Sequence, residues 1–103
     1  MLLLNIDHVP GKEIEALGLV KGTVVQSKNI GKDFMAGMKT RVGGEIKSYT
    51  DMMNEGRQIA EQRMVAAAQA MGANAIICAR YASSSVMEGT QEMLAYGTAV
   101  RYL

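Results

Sequence analysis

The segment Tyr49–Met71 constrains this chain more than any other. At 100° per residue, Met52, Met53, Gly56, Ile59, Ala60, Met64, Ala67, Ala70 and Met71 fall in one broad sector, while Asn54, Glu55, Gln58, Glu61, Gln62 and Gln69 fall opposite. A helix this one-sided must lay its apolar stripe on another layer. The run Ser48-Tyr49-Thr50-Asp51 has the capping-box pattern, a hydroxyl and a carboxylate three residues apart, and predicts that the helix starts there. Gly72 stands where a left-handed residue usually closes a helix. Arg63 breaks the pattern, because it lies inside the apolar sector. Its long stem can snorkel, or its charge can meet a carboxylate across a subunit interface, which makes it an interface candidate.

The layer under this helix is read from strand signals. Leu2–Ile6 is short and apolar and meets Pro10-Gly11, a turn pair, so a first strand ends in a turn there. From Ile14 to Gln26, Leu17, Leu19, Val20, Thr23, Val24 and Val25 favour extended backbone, with a bulge or close backbone approach expected near Gly22. Next, Ile30, Phe34, Met38 and Val42 recur every four residues, which predicts a short first helix ending at Gly43-Gly44. Beyond the long helix, Ala75–Tyr81 and Gln91–Tyr102 read as an antiparallel hairpin joined by a polar loop at Ser83-Ser84-Ser85. In the last strand, Leu94, Tyr96, Thr98, Val100 and Tyr102 share one parity, and Met93, Ala95, Gly97 and Ala99 the other. Both faces of the sheet are therefore coverable, and helices from so small a chain cover only one. Another subunit is expected over part of the second face.

At 103 residues there is room for a single domain, 1–103, with one core. Hydrophobic residues make up 49% and charged residues 20%, a globular composition rather than a disordered one. The net charge of +1 creates no strong field toward nucleic acid or an anionic membrane. One Phe and no Trp supply few surfaces for stacking on a single strand. A lone cysteine, Cys78, excludes an intrachain disulfide framework and fits a reducing compartment. No apolar run nears the roughly 20 residues of a membrane span, and the start has no basic region before its apolar stretch. A soluble, cytoplasmic protein is expected.

The residues bear on three chemistries. For a metal centre, nine Met, one Cys and one His offer soft donors, but His8 and Cys78 have no second strong ligand at a binding spacing, and the helix methionines sit at core spacing. For nucleophilic catalysis, Cys78 lies in an apolar strand with no neighbouring base, and the serines lack a nucleophile elbow. For an anion site, six basic residues (Lys21, Lys28, Lys32, Lys39, Arg41, Lys47) stand against two acidic ones between positions 21 and 47. There Arg41-Val42-Gly43-Gly44 leads through Lys47 to Ser48 at the expected helix start, where free N–H groups attract negative charge. The same residues have a purely structural account, as a terminator, a turn, a cap and a solvated face.

Taken in order, Gly22, Asn29-Ile30-Gly31-Lys32-Asp33-Phe34, Ala36-Gly37, Val42-Gly43-Gly44, Tyr49, Gly56-Arg57-Gln58-Ile59-Ala60, Met71-Gly72-Ala73-Asn74-Ala75-Ile76 and Gly97-Thr98-Ala99-Val100 resemble the YbjQ-like family of small bacterial proteins over nearly the whole chain. The resemblance implies an α+β fold: a β-α-β-β unit, an antiparallel sheet against helices, and extra short strands joining subunits into a ring, commonly a pentamer. The family is labelled "putative heavy-metal-binding", is functionally uncharacterised, and lends no catalytic activity. This sequence departs from it at Glu45, where a basic residue is common, at Ala82-Ser83-Ser84, where acids are common, and at Cys78, where glycine is more frequent. Asp33 and Arg57 are the matching polar candidates. Asp33 also suits the start of the first helix, and Arg57 suits a pair with Glu61.

The reading is a ring-forming cytoplasmic homo-oligomer that binds a heavy-metal ion or small ligand without catalysis. Its alternative is an anion or nucleotide module built on Arg41, Gly43, Gly44, Lys47 and Ser48. Third stands an enzyme whose site assembles at subunit boundaries from Asp33, Tyr49, Arg57 or Arg63.

Overall fold

The computed structural model describes residues 1–27 and 44–103. Their elements follow the order β1 (Leu2–Leu3), β2 (Ile14–Ser27), α1 (Gly44–Ala70), β3 (Ala75–Ser84) and β4 (Thr90–Tyr102). The four strands form one sheet in the order β1-β3-β4-β2. The sheet is mixed rather than antiparallel throughout: β4 runs antiparallel to both β2 and β3, but β1 pairs parallel with β3, Leu2 opposite Ala75 and Leu3 opposite Ile76. A two-residue strand leaves little sequence from which to read direction. Among the described residues one helix packs on the sheet, not several, and the helix expected over Ile30–Val42 lies outside them.

The long helix begins four residues before Ser48, at Gly44, so Ser48 is an interior helical residue and not its cap. A capping pattern marks where a helix can begin but does not oblige it to. Serine in a helix interior costs only about 0.5 kcal/mol relative to alanine, and α1 lies against β2. Its 27 residues span about 40 Å, close to the roughly 46 Å of the 14-residue β2. The other end follows the sequence. Gly72 takes φ +80°, its N–H donates to Gln69 O at 3.0 Å, and Ala73 N–H donates to Ala68 O at 3.1 Å. These two bonds are the Schellman closure of the helix.

The apolar stripe packs as the periodicity predicts. Ala60, Met64 and Ala68 are fully buried with Val20, Ile76, Met93, Ala95 and Ala99 in the main core, and Met53, Val65 and Ala67 pack at its margin. Gly22 allows this approach: a Cβ there would lie 2.8 Å from the Arg63 Cβ, and nearer still to the Ala60 carbonyl and the Met64 amide. The close approach expected at Gly22 is present, while the bulge lies earlier, between Ala16 and Gly18.

Strand β3 runs through Ser83 and Ser84, which pair with Met93 and Glu92, so these serines are ladder residues rather than a loop. The ladder continues because β4 is long enough to partner them. A second irregularity falls between Ile77 and Arg80, where Cys78 takes φ +53°. Cys78 N–H donates to Ile6 O and Ala79 N–H to Leu4 O, each at 2.9 Å, so the N-terminal segment straps the bulge. That segment also builds a second, smaller cluster of Val9, Ala75, Ile77 and Val100, with Leu4, Ile14, Cys78 and Tyr102 against it. Its turn is closed by Lys12 N–H to Val9 O at 3.1 Å.

Candidate functional site

The sheet has one face under α1 and one that is half covered. Alternation puts Val20, Gly22, Met93, Ala95 and Ala99 toward the helix and turns Leu19, Lys21, Thr23, Val25, Leu94 and Tyr96 away. The N-terminal segment covers only the Val100 and Tyr102 end of that second face. The rest is bare: Leu19 is 71% exposed, Val25 56% and Tyr96 36%. Register groups these residues in rows across three strands. One row is Lys21–Tyr96–Arg80, the next Thr23–Leu94–Ala82, and the one after it Val25–Glu92–Ser84.

The first row has a distinct chemistry. Tyr96 sits on the central strand with a cation on each neighbouring strand. Arg80 is held by its own surroundings, donating through Nη1 to Asn5 O at 2.9 Å and to Ala79 O at 3.3 Å. It also borders an open cavity of about 570 Å³ with Leu3, Leu4, Asn5, Ala79 and Tyr81. Tyr81 points to the helix side, where its hydroxyl donates to Glu61 Oε1 at 2.7 Å, and that hydrogen bond raises the tyrosine's pKa above its ordinary 10.0. A smaller cavity of about 200 Å³ lies between α1 and the β3–β4 turn, lined by Tyr49, Met52, Ser85, Gly89, Thr90 and Gln91. The Ser85 and Thr90 hydroxyls there are engaged with the backbone of the turn.

The residues singled out from sequence are dispersed. Asp33, Arg41 and Gly43 lie outside the described residues. Gly44 is the first residue of α1, and Lys47 and Ser48 follow in its first turns. Arg57 is exposed and donates to Asn54 Oδ1 at 2.6 Å rather than pairing with Glu61. Arg63 is exposed and reaches across to β2, where Nη1 donates to Thr23 O at 2.5 Å. Its position in the apolar sector thus has an intrachain use, fastening the helix to the strand beneath it. Sequence reasoning missed the Lys21–Tyr96–Arg80 row, because rows depend on strand register, and the bulge in β3 shifts that register.

For a metal, no group of three or more His, Cys, Asp and Glu side chains among the described residues is close enough to hold an ion. Met64 and Met93 are buried in the main core. Among the described residues His8 meets the adjacent Asp7, Nδ1 to Oδ1 at 3.0 Å, on the open surface. The hydrogen bond from His8 lowers the Asp7 pKa. Among the described residues these donors do not assemble a heavy-metal centre.

The fold and the sequence define a small α+β protein. The chain belongs to the YbjQ-type family described as "Putative heavy-metal-binding", whose model matches residues 1–103. It is 56% identical over 103 residues to a UPF0145 protein of Clostridium novyi, with both chains covered in full. It is 49% identical over 102 residues to a UPF0145 protein of Thermus thermophilus, covering 98% of this chain and 90% of the relative. A crystal structure from Pediococcus pentosaceus, described as a protein with unknown function of the DUF74 family, shares the fold. Its TM-score is 0.71 at 15% identity, covering all of this chain and 98% of that one.

Proposed function

We propose that the protein works as a cytoplasmic ring-forming homo-oligomer that holds a small ligand and has no catalytic activity of its own. The bare half of the sheet carries this reading. Leu19 and Val25 stand more than half exposed on β2, an edge strand whose outer side has no strand partner among the described residues. An edge with apolar residues beside it is a surface that proteins normally cover. The subunit is also extended, with a radius of gyration of 16.8 Å and extents of 55 × 24 × 18 Å, against about 13 Å for a compact chain of this length. If a neighbour uses a different patch on its own surface, the contact is heterologous, and such a contact gives a ring when its rotation closes. The family's metal label enters the proposal only through residues outside those described or donors shared between subunits.

Native mass spectrometry of untagged protein, set against its denatured mass, tests this. A closed oligomer retaining reproducible extra mass is the expected result. A bare monomer at micromolar concentration would overturn the reading.

A further inference from the structure

We infer that the row Lys21–Tyr96–Arg80 is a binding site for an aromatic anion of the nucleoside-phosphate class, one base stacked on Tyr96 and its phosphate held by the flanking cations. This rests on the small-ligand part of the reading above and not on the ring. The three residues are direct cross-strand neighbours, Lys21 opposite Tyr96 and Tyr96 opposite Arg80, so they lie side by side on the bare face. Two strand spacings separate the outer Cα atoms, roughly 10 Å, which suits one nucleotide. All three side chains are exposed in the single subunit. Arg80 is already anchored by two backbone carbonyls, and a guanidinium carries five N–H donors, more than these carbonyls use.

Charge favours an anion here. The row contains no carboxylate, and Glu92, on the same face, lies four residues along β4, about 13 Å away. Where a neighbouring subunit flanks this face, the row lies at the subunit boundary. Two cations withdrawn from water without a counter-charge are costly, so the need for an anion then grows. The size of the site also selects among anions. A nucleic acid strand needs successive stacking residues and a continuous basic groove. The adjoining row, Thr23–Leu94–Ala82, offers neither.

Calorimetric titration with adenosine monophosphate, inorganic phosphate and a ten-nucleotide thymidine oligomer tests the assignment. The expected result is saturable binding of the mononucleotide, tighter than that of inorganic phosphate. Removing the stack by Tyr96→Ala should weaken it roughly tenfold, and Tyr96→Phe should retain it. Lys21→Gln should weaken it severalfold, with the circular dichroism spectrum unchanged. No mononucleotide binding, equal binding of inorganic phosphate, an unchanged affinity in Tyr96→Ala, or an oligomer bound far more tightly than the mononucleotide would each overturn the inference. An oligomer that retains some other small molecule in its native mass spectrum would meanwhile leave the proposed function standing.

Discussion

At Cys78 the chain adopts φ +53° in the middle of a strand, inside an irregularity of the β3–β4 ladder. Side chains carry a cost of about 1–2 kcal/mol in this left-handed region, and glycine does not. A glycine at this position would not carry that cost. In urea unfolding, Cys78→Gly should keep or raise stability, by up to about 1 kcal/mol, while a β-branched Cys78→Val should lower it by about 2 kcal/mol. The reverse ordering would remove the bulge argument. Gly22 makes the complementary case, since a methyl there meets the backbone of α1 and not a flexible side-chain end. Gly22→Ala should cost about 3 kcal/mol, the upper range for overpacking, in the same assay. Both residues stood out in the sequence, but only Gly22 for the right reason: a strand glycine signals close approach directly, whereas a positive φ leaves no mark on a cysteine.

Between elements, the register of helix on sheet is held by core packing and, among the described contacts, by two polar fasteners. Arg63 donates to the Thr23 carbonyl, and Tyr81 donates to Glu61. Replacing Arg63 by alanine should cost about 1 kcal/mol, since the bond is charge-assisted but exposed. The Tyr81 contact carries a pH dependence. Its pKa is raised in the folded state, so the folded protein holds that proton more tightly than the unfolded chain does. The stabilisation is therefore complete below the ordinary value of 10.0 and is lost as pH rises through the folded pKa. Stability of the wild type relative to Tyr81→Phe should be flat from pH 7 to 9 and decline in alkaline solution. A difference that grew above pH 10 would contradict it. At this scale the periodicity of α1 and the alternation in β2 and β4 made the elements legible. The start of α1 was not, because a capping pattern permits a start at Ser48 without requiring one, and the extension of β3 was not, because serines on an exposed strand look like a loop.

For the whole molecule, the alternating apolar parity of β4 announced a sheet coverable on both sides, and the structure leaves half of one side bare around Leu19, Val25 and Tyr96. The candidate site was the least legible part. Five of the residues that the sequence singles out, Arg41, Gly43, Gly44, Lys47 and Ser48, cluster at an expected helix start at Ser48, and the helix begins at Gly44. The row that the fold brings together joins positions 21, 80 and 96, and its members share no local motif. The central claim is that the outer, β2 side of the bare face, at Leu19 and Val25, is a subunit contact, and placing charge there tests this most directly. The double substitution Leu19→Glu and Val25→Glu puts carboxylates at two exposed positions, so the subunit's fold should survive. Sedimentation velocity of the wild type and this variant at equal micromolar concentration should show an oligomer reduced to folded monomer, with an unchanged far-ultraviolet spectrum. An identical sedimentation coefficient in both would show that the face is not where the subunits meet.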